Sequence, residues 1–252
     1  MKRIESLKNE RVKKWKKLHT KRGREQQGLF LVEGEHLVEE ALKSNWLVST
    51  IITNTTISIP FSGEVIQVND SVLKELSRTE TPQGMIAVCQ RKELCQPADL
   101  TGVYVILDRI QDPGNLGTII RTALAAGATA VVVGTGSVDV FNDKVIRSTQ
   151  GAFFHIPVYE GGLEDWFNAF EQAKIPVFGT SLLEAIPYSE VEKTSQFALL
   201  LGNEGDGVGE EWLKRTNKNL YIPQNPKAES LNVAVASGIL LYSLKSDLAT
   251  KD

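Results

Sequence analysis

Three well-separated stretches hold polar residues that ordinary turn and helix chemistry does not fully explain. In DRIQDPGNLGTIIRTA (108–123), Pro113 and Gly114 make a sharp turn, Asn115 stands where a helix N-cap belongs, and Arg121 follows six residues on. Arg121 is flanked by Ile119, Ile120, Thr122, Ala123 and Leu124. A guanidinium leaving so apolar a helix suits a planar anion, a phosphate or carboxylate, although a capped helix with a surface arginine reads the same way. In LLGNEGDGVGEEW (200–212), Gly202, Gly205, Gly207 and Gly209 surround Glu204. Such a loop lets a ligand approach the backbone closely, or is simply a turn. In YIPQNPKAESLNVAVASGILLY (221–242), Ser230 is placed to cap an apolar helix. Asn232 then falls just inside that helix, where asparagine has poor propensity. The exposed amides at such a start can receive an anion.

Several chemistries are excluded. No Gly-Lys-Ser/Thr follows the glycines, the dinucleotide fingerprint is missing, and NEGDGVGEE lacks the calcium-loop ligand order. The loss of the fingerprint argues against a nicotinamide-dependent oxidoreductase. His19, His36, His155, Cys89 and Cys95 show no metal-ligand spacing, so no metal is expected. The 252 residues are 42% hydrophobic and 23% charged, an ordinary globular profile with no apolar run near the ~18 residues that span a bilayer. Without a signal-like apolar start, a cytoplasmic protein with reduced thiols is expected. The net charge of −3 conceals an asymmetry: residues 1–27 carry +8, leaving −11 for the rest. Clustered cations gain free energy by displacing counterions from a polyanion, whereas the bland alternative is a solvated helix face. Trp15 and Leu18 among the charges imply a folded segment.

The elements that must position these residues follow from periodicity. A basic helix is predicted over 7–22, ending near Gly23, then a strand at 29–34 and a helix at 35–46. Strands at 49–53, 64–68 and 84–90 and a helix capped by Asp70 or Ser71 complete a small α/β unit. A polar stretch over 91–102 reads as a linker, dividing domains 1–95 and 96–252. Beyond it, YVILD (104–108) and AVVVG (130–134) are uniformly apolar, as strands buried on both faces are. Further strands are predicted at 177–180, 197–202 and 220–223, and helices from Asn115 to a stop at Gly127 and at 163–173, 209–215 and 230–246. This alternation predicts a mostly parallel sheet with ligands at its carboxyl edge, where all three polar stretches fall.

Taken together, the stretches resemble the SpoU (TrmH) family, the ribose-methylating branch of the knotted SPOUT methyltransferases. Its first motif matches Asn115 and Arg121, its second Leu201, Gly202, Asn203, Glu204 and Gly205, and its third Ile222, Pro223, Ser230, Leu231 and Asn232. SLKNERVKKWKKL, GLFLVEGEHLVEEAL and TETPQGMIAV are similar to the substrate-binding domain that precedes the catalytic one. The resemblance implies a small L30e-like α/β RNA-binding domain before a catalytic α/β domain with a deep trefoil knot, running from about Gly202 to the C-terminus. It implies S-adenosylmethionine as cofactor, contacted by Gly179, Thr180, Leu201, Gly202, Glu204, Gly205, Ile222 and Leu231. It implies catalytic roles for Asn115, Arg121, Glu204, Ser230 and Asn232, and a homodimer through the catalytic domain. Structured RNA, ribosomal in preference to transfer RNA, would meet Lys13, Lys14, Lys17, Arg22, Arg24 and Arg121. Base-nitrogen methylation and a catalytically weak RNA-binding or ribosome-assembly factor stay open. Gln224 and Pro226 depart from the family's usual third motif and leave that loop's path open.

Overall fold

A computed structural model describes residues 2–57 and 59–246. In chain order it contains β1 (Lys2–Ile4), α1 (Glu10–Lys17), α2 (Lys21–Gln27), β2 (Leu29–Glu33), α3 (Glu35–Lys43), β3 (Val48–Thr53), β4 (Glu64–Val68), α4 (Asp70–Leu76) and β5 (Met85–Gln90). There follow β6 (Val103–Leu107), α5 (Pro113–Ala125), β7 (Ala130–Gly134), α6 (Asp143–Ser148), β8 (Val158–Gly161), α7 (Glu164–Ala173) and β9 (Val177–Thr180). The last elements are β10 (Ala185–Pro187), β11 (Phe197–Leu201), α8 (Glu210–Leu213), β12 (Lys218–Tyr221) and α9 (Val233–Leu244). The chain forms two compact units. The first runs up to Glu93 and also takes in Phe141–His155; the second comprises Leu94–Val140 and the chain from Ile156.

The first unit is a mixed sheet in the order β1-β4-β3-β5-β2. Trp15, Val12 and Leu18 pack with Ile52, Ile66, Leu73 and Leu76 in its core. A second apolar cluster joins Phe30 and Trp46 to Phe141, Phe153 and Phe154, so the segment after β7 contributes aromatic rings to this unit. The single basic helix expected over 7–22 is two helices. Asn9 caps α1 and Thr20 caps α2 by accepting from the Gly23 N–H, so Gly23 lies inside a helix. A Cβ on Gly23 would lie 1.9 Å from the Lys17 carbonyl oxygen, which is why glycine stands at this junction. The cap of α4 is Asn69, not Asp70 or Ser71. Cys89 and Cys95 are free thiols.

The second unit is a seven-stranded sheet, β10-β12-β9-β11-β6-β7-β8, in which every pairing is parallel. β6, β7 and β11 are buried at every position, as their unbroken apolar runs require. On one face α7 lays Trp166, Phe167 and Phe170 against Tyr104, Ile106 and Leu200. Helix α5 packs on α9, with Gly238 facing the Thr122 methyl across the contact. Strands β1, β8 and β10 and helix α6 are short and lack a periodic signature. Among the described residues no helix is long and apolar enough to cross a membrane.

His19, between α1 and α2, has a buried Nε2 without a hydrogen-bond partner. Burial, helped by the nearby Arg78 guanidinium, lowers its pKa to about 4. The folded state therefore disfavours the imidazolium: the stability His19 contributes is complete above its ordinary pKa and is lost as pH falls towards 4. Denaturation midpoints are expected to decline between about pH 7.5 and about pH 5, and to decline less in His19→Gln. An equal decline in both proteins would exclude His19 as a source.

Candidate active site

The site grows from the carboxyl ends of β12, β9, β11 and β6, which are neighbours in that order. Four parallel strands pointing the same way deliver their following loops to one edge. The loop after β6 leads into α5, whose N-cap is Asp112, not Asn115: the Asp112 carboxylate accepts the Asn115 N–H at 2.9 Å, with Pro113 filling the first turn. Asn115 thus lies inside the helix with its side chain uncommitted to capping. That frees it for the site.

The loop after β11 folds back on itself. Asn203 and Gly207 exchange both backbone hydrogen bonds at 3.0 Å, and Asn203 Oδ1 accepts from the N–H of Gly205 and Asp206. Gly207 has φ +71, and a Cβ on Gly202 would lie 2.1 Å from the Val208 nitrogen, so both glycines are sterically required. The bend presents Glu204 to the start of α5. Its Oε2 accepts the Gln111 N–H at 3.1 Å, and Oε1 accepts from the Asp112 N–H at 3.2 Å and from Asn115 Nδ2 at 2.9 Å. Partial burial alone would raise the Glu204 pKa; donation by Asn115, Gln111 and Asp112 outweighs it and holds the carboxyl below its ordinary value.

The third stretch joins through Asn232. It is the N-cap of α9, accepting from the N–H of Ala234 and Val235, so the capping role expected of Ser230 falls two residues later. Its Nδ2 donates to Asn115 Oδ1 at 2.8 Å. Glu204, Asn115 and Asn232 therefore form a continuous chain that links the loop after β11 to the starts of α5 and α9. Pro226 is accommodated: it begins the turn closed by the Ala228 N–H on the Asn225 carbonyl, a position that uses fixed φ and needs no N–H.

Other expected residues are placed differently. Arg121 is exposed, with no hydrogen bond or ion pair to a described residue, and six helical residues turn it about 120° away from Asn115. Ser230 is exposed and has no hydrogen-bond partner among the described residues. Thr180 Oγ1 donates to the Leu200 carbonyl across adjacent strands, Leu201 and Gly202 are buried, and Gly205 is exposed. Ile222 is half-buried. Leu231 and, on the loop after β9, Leu182 and Leu183 expose apolar side chains, the last two by 77% and 79%. Backbone groups, one ordered carboxylate and apolar side chains at one edge fit an elongated nucleoside-bearing cation such as S-adenosylmethionine. Among the described residues no cluster could hold a metal ion. Sequence reasoning singled out neither Asp112 nor the buried Asp108, whose only signal is a carboxylate ending an apolar strand.

In the first unit the expected RNA-facing cations separate. Lys14, Lys17 and Arg22 are exposed, and their side chains make no hydrogen bond or ion pair to a described residue. Lys13 pairs with Glu10 at 2.7 Å. Arg24 is a correction: it is buried, and its Nη1 donates to the Leu18 carbonyl at 2.8 Å, so it ties the turn between α1 and α2 and does not face solvent.

Comparison with known proteins agrees with this geometry. The SpoU rRNA Methylase family matches residues 102–242, and the MRM3-like substrate binding domain matches residues 9–87. The 23S rRNA (guanosine(2553)-2′-O)-methyltransferase RlmP of Bacillus subtilis is 46% identical over 97% of this chain and 100% of its own. The 23S rRNA (uridine(2479)-2′-O)-methyltransferase of Streptomyces viridochromogenes is 30% identical, covering 93% and 88%. An AdoMet-bound rRNA methyltransferase from Sinorhizobium meliloti superposes with a TM-score of 0.87 at 33% identity, covering 96% of this chain and 97% of that one.

The hydrogen-bond chain makes Asn115→Asp a sharp test. The variant keeps the shape, loses the amide donor and sets a second carboxylate against Glu204. Discounted for solvent exposure, a loss of about 1 kcal/mol is expected, a fall of roughly 2–4 °C in thermal midpoint. An unchanged midpoint would mean that the Asn115–Glu204 contact carries no energy.

Proposed function

The chain belongs to the SpoU rRNA methylase family, and on that basis we propose that it methylates a ribose 2′-hydroxyl of ribosomal RNA with S-adenosylmethionine as donor. It is an RNA 2′-O-methyltransferase, and the observation that carries the reading is the Glu204–Asn115–Asn232 chain, which ties the family's three motifs together. Ribosomal RNA is favoured over transfer RNA by the identity to RlmP along the whole chain. The likeness to a bacterial ribosomal-RNA methyltransferase along the whole chain supports action in the cytoplasm.

S-adenosylmethionine, when bound, supplies a methyl group on a cationic sulfur, already a good electrophile. The protein's task is then to bring the hydroxyl into line and let one proton leave. Arg121 serves as a clamp on the phosphate beside the target ribose. A guanidinium carries only donors and no acceptor, which makes it a poor base, whereas its exposed fork can take two phosphate oxygens and ease ionisation of the hydroxyl. Asn115 and Asn232 each commit one amide hydrogen within the chain and retain a second for ribose or ligand oxygens. The free Ser230 hydroxyl stands two residues from Asn232 to orient the ribose. Gly179, Thr180, Leu201, Gly202, Gly205, Ile222 and Leu231 line the ligand with backbone and apolar surface.

Two features of the proposal concern assembly. Val235 and Tyr242, one helical stripe of α9, expose 52% and 45% of their surface, which supports a homodimer through the catalytic unit. The strand order is compatible with a trefoil knot beginning near Gly202; residues 247–252 of that segment lie outside the described residues. Lys14, Lys17 and Arg22, without an ion pair among the described residues, are the RNA contacts proposed for the first unit.

Mapping 2′-O-methyl groups in ribosomal RNA with and without the protein should reveal one site that disappears. If a methylated base is lost instead, the ribose assignment fails. Arg121→Lys, which keeps the charge but not the fork, is expected to reduce turnover at least about tenfold with S-adenosylmethionine affinity unchanged. Near-normal turnover would rule out the bidentate clamp.

A further inference from the structure

Among the described residues only Arg24 and Asp108 are both charged and buried, and the chemistry above leaves Asp108 without a task. It follows β6 directly, and its N–H donates to the Leu201 carbonyl of the adjacent β11 at 2.9 Å. A carboxylate so placed is costly unless donors surround it. Its donors are specific. Oδ2 accepts the Gly209 N–H at 2.8 Å, and Nε and Nη2 of Arg109 face Oδ1 and Oδ2 at 3.1 and 3.2 Å.

Arg109 has φ +56, a left-handed conformation that L side chains rarely adopt. Its carbonyl accepts from Asn203 Nδ2 at 2.8 Å and from Gln111 Nε2 at 3.0 Å. Both ends of the glycine loop, Asn203 and Gly209, are thus fastened to one dipeptide, while Glu204 between them is fastened to α5. Neighbouring acids, Glu211 and Asp206, add to the pull of Asp108 on the Arg109 guanidinium.

We propose that Asp108 and Arg109 are positioning residues for S-adenosylmethionine: their ion pair holds the loop from Gly202 to Gly209 in its ligand-receiving shape before the ligand arrives. The inference rests on the reading of that loop as a cofactor loop. Neither side chain needs to touch the ligand: Asp108 acts through the Gly209 N–H, the Arg109 guanidinium acts by holding the Asp108 carboxylate in place, and the Arg109 backbone carbonyl receives the Asn203 amide. A loop already ordered loses less freedom on binding, so the pair contributes to affinity. An ion pair serving stability alone would shift unfolding and leave affinity untouched.

The test uses the full chain. S-adenosylmethionine binding is measured by calorimetry, and hydrogen exchange over residues 202–209 is measured without ligand. Asp108→Asn keeps an oxygen for Gly209 but loses the ion pair; Arg109→Gln, at a side chain 41% exposed, is the variant to use should the first fail to fold. Each is expected to bind roughly tenfold more weakly and to exchange faster across the loop, with RNA affinity unchanged. Phe170→Leu, on the buried face of α7, should lower the thermal midpoint while binding like the parent. Parent-like affinity in the Asp108 and Arg109 variants would overturn the positioning role, as would equal weakening in Phe170→Leu. If the parent itself fails to bind S-adenosylmethionine, the cofactor reading falls and this inference falls with it.

Discussion

The catalytic unit depends on where one carboxylate finds its donors. Glu204 leaves a tightly bent loop after β11 and takes up two backbone N–H groups and one side-chain amide at the start of α5. Those N–H groups would otherwise be unsatisfied at a helix start, and a negative charge is favoured there. Each bond is modest at a partly exposed position. Their joint effect is geometric, because three donors on one short segment leave the loop a single orientation. Through Asn115 that orientation is passed to Asn232, so the beginning of α9 is fixed by the same group.

Capping decides which side chains stay free for this work. Asp112 takes the cap of α5, which releases Asn115 to bridge Glu204 and Asn232. Asn232 does both jobs with its two ends: its oxygen caps α9 and its nitrogen reaches Asn115. Neither a serine hydroxyl nor an aspartate could serve equally, since only the carboxamide offers an acceptor and a separate pair of donors. The same economy explains the glycines. Gly202 is needed because its loop returns within touching distance of its own backbone.

The basic segment shows how little a charge count says about availability. Arg11 is held by the Glu64 carboxylate and lies over the Trp15 ring, Lys16 pairs with Glu75, and Arg24 is buried against a carbonyl. Arg11 thus ties α1 to β4, Lys16 ties it to α4, and Arg24 fastens the turn between α1 and α2. What remains free, Lys14, Lys17 and Arg22 among them, is a smaller set than the composition suggests, and it is that set which can exchange counterions for phosphate.

Much of this was legible from the residues alone. Unbroken apolar runs such as YVILD and AVVVG mark strands buried on both faces, and alternation with helices then dictates a parallel sheet whose loops gather at one edge. Glu204 and Asn232 stood out because each is a poor choice for its local element, and Asn115 through its place in the family's first motif. Local propensity could not choose between competing caps, Asp112 against Asn115 or Asn232 against Ser230, since either residue satisfies the helix equally well. Nor could it show that Arg24 is buried, that Arg121 is unpaired, or that Asp108 reaches Gly209. The central chain depends on partners 89 to 117 residues away and the Asp108 contact on one 101 residues away, and only the folded sheet brings such partners within hydrogen-bond range.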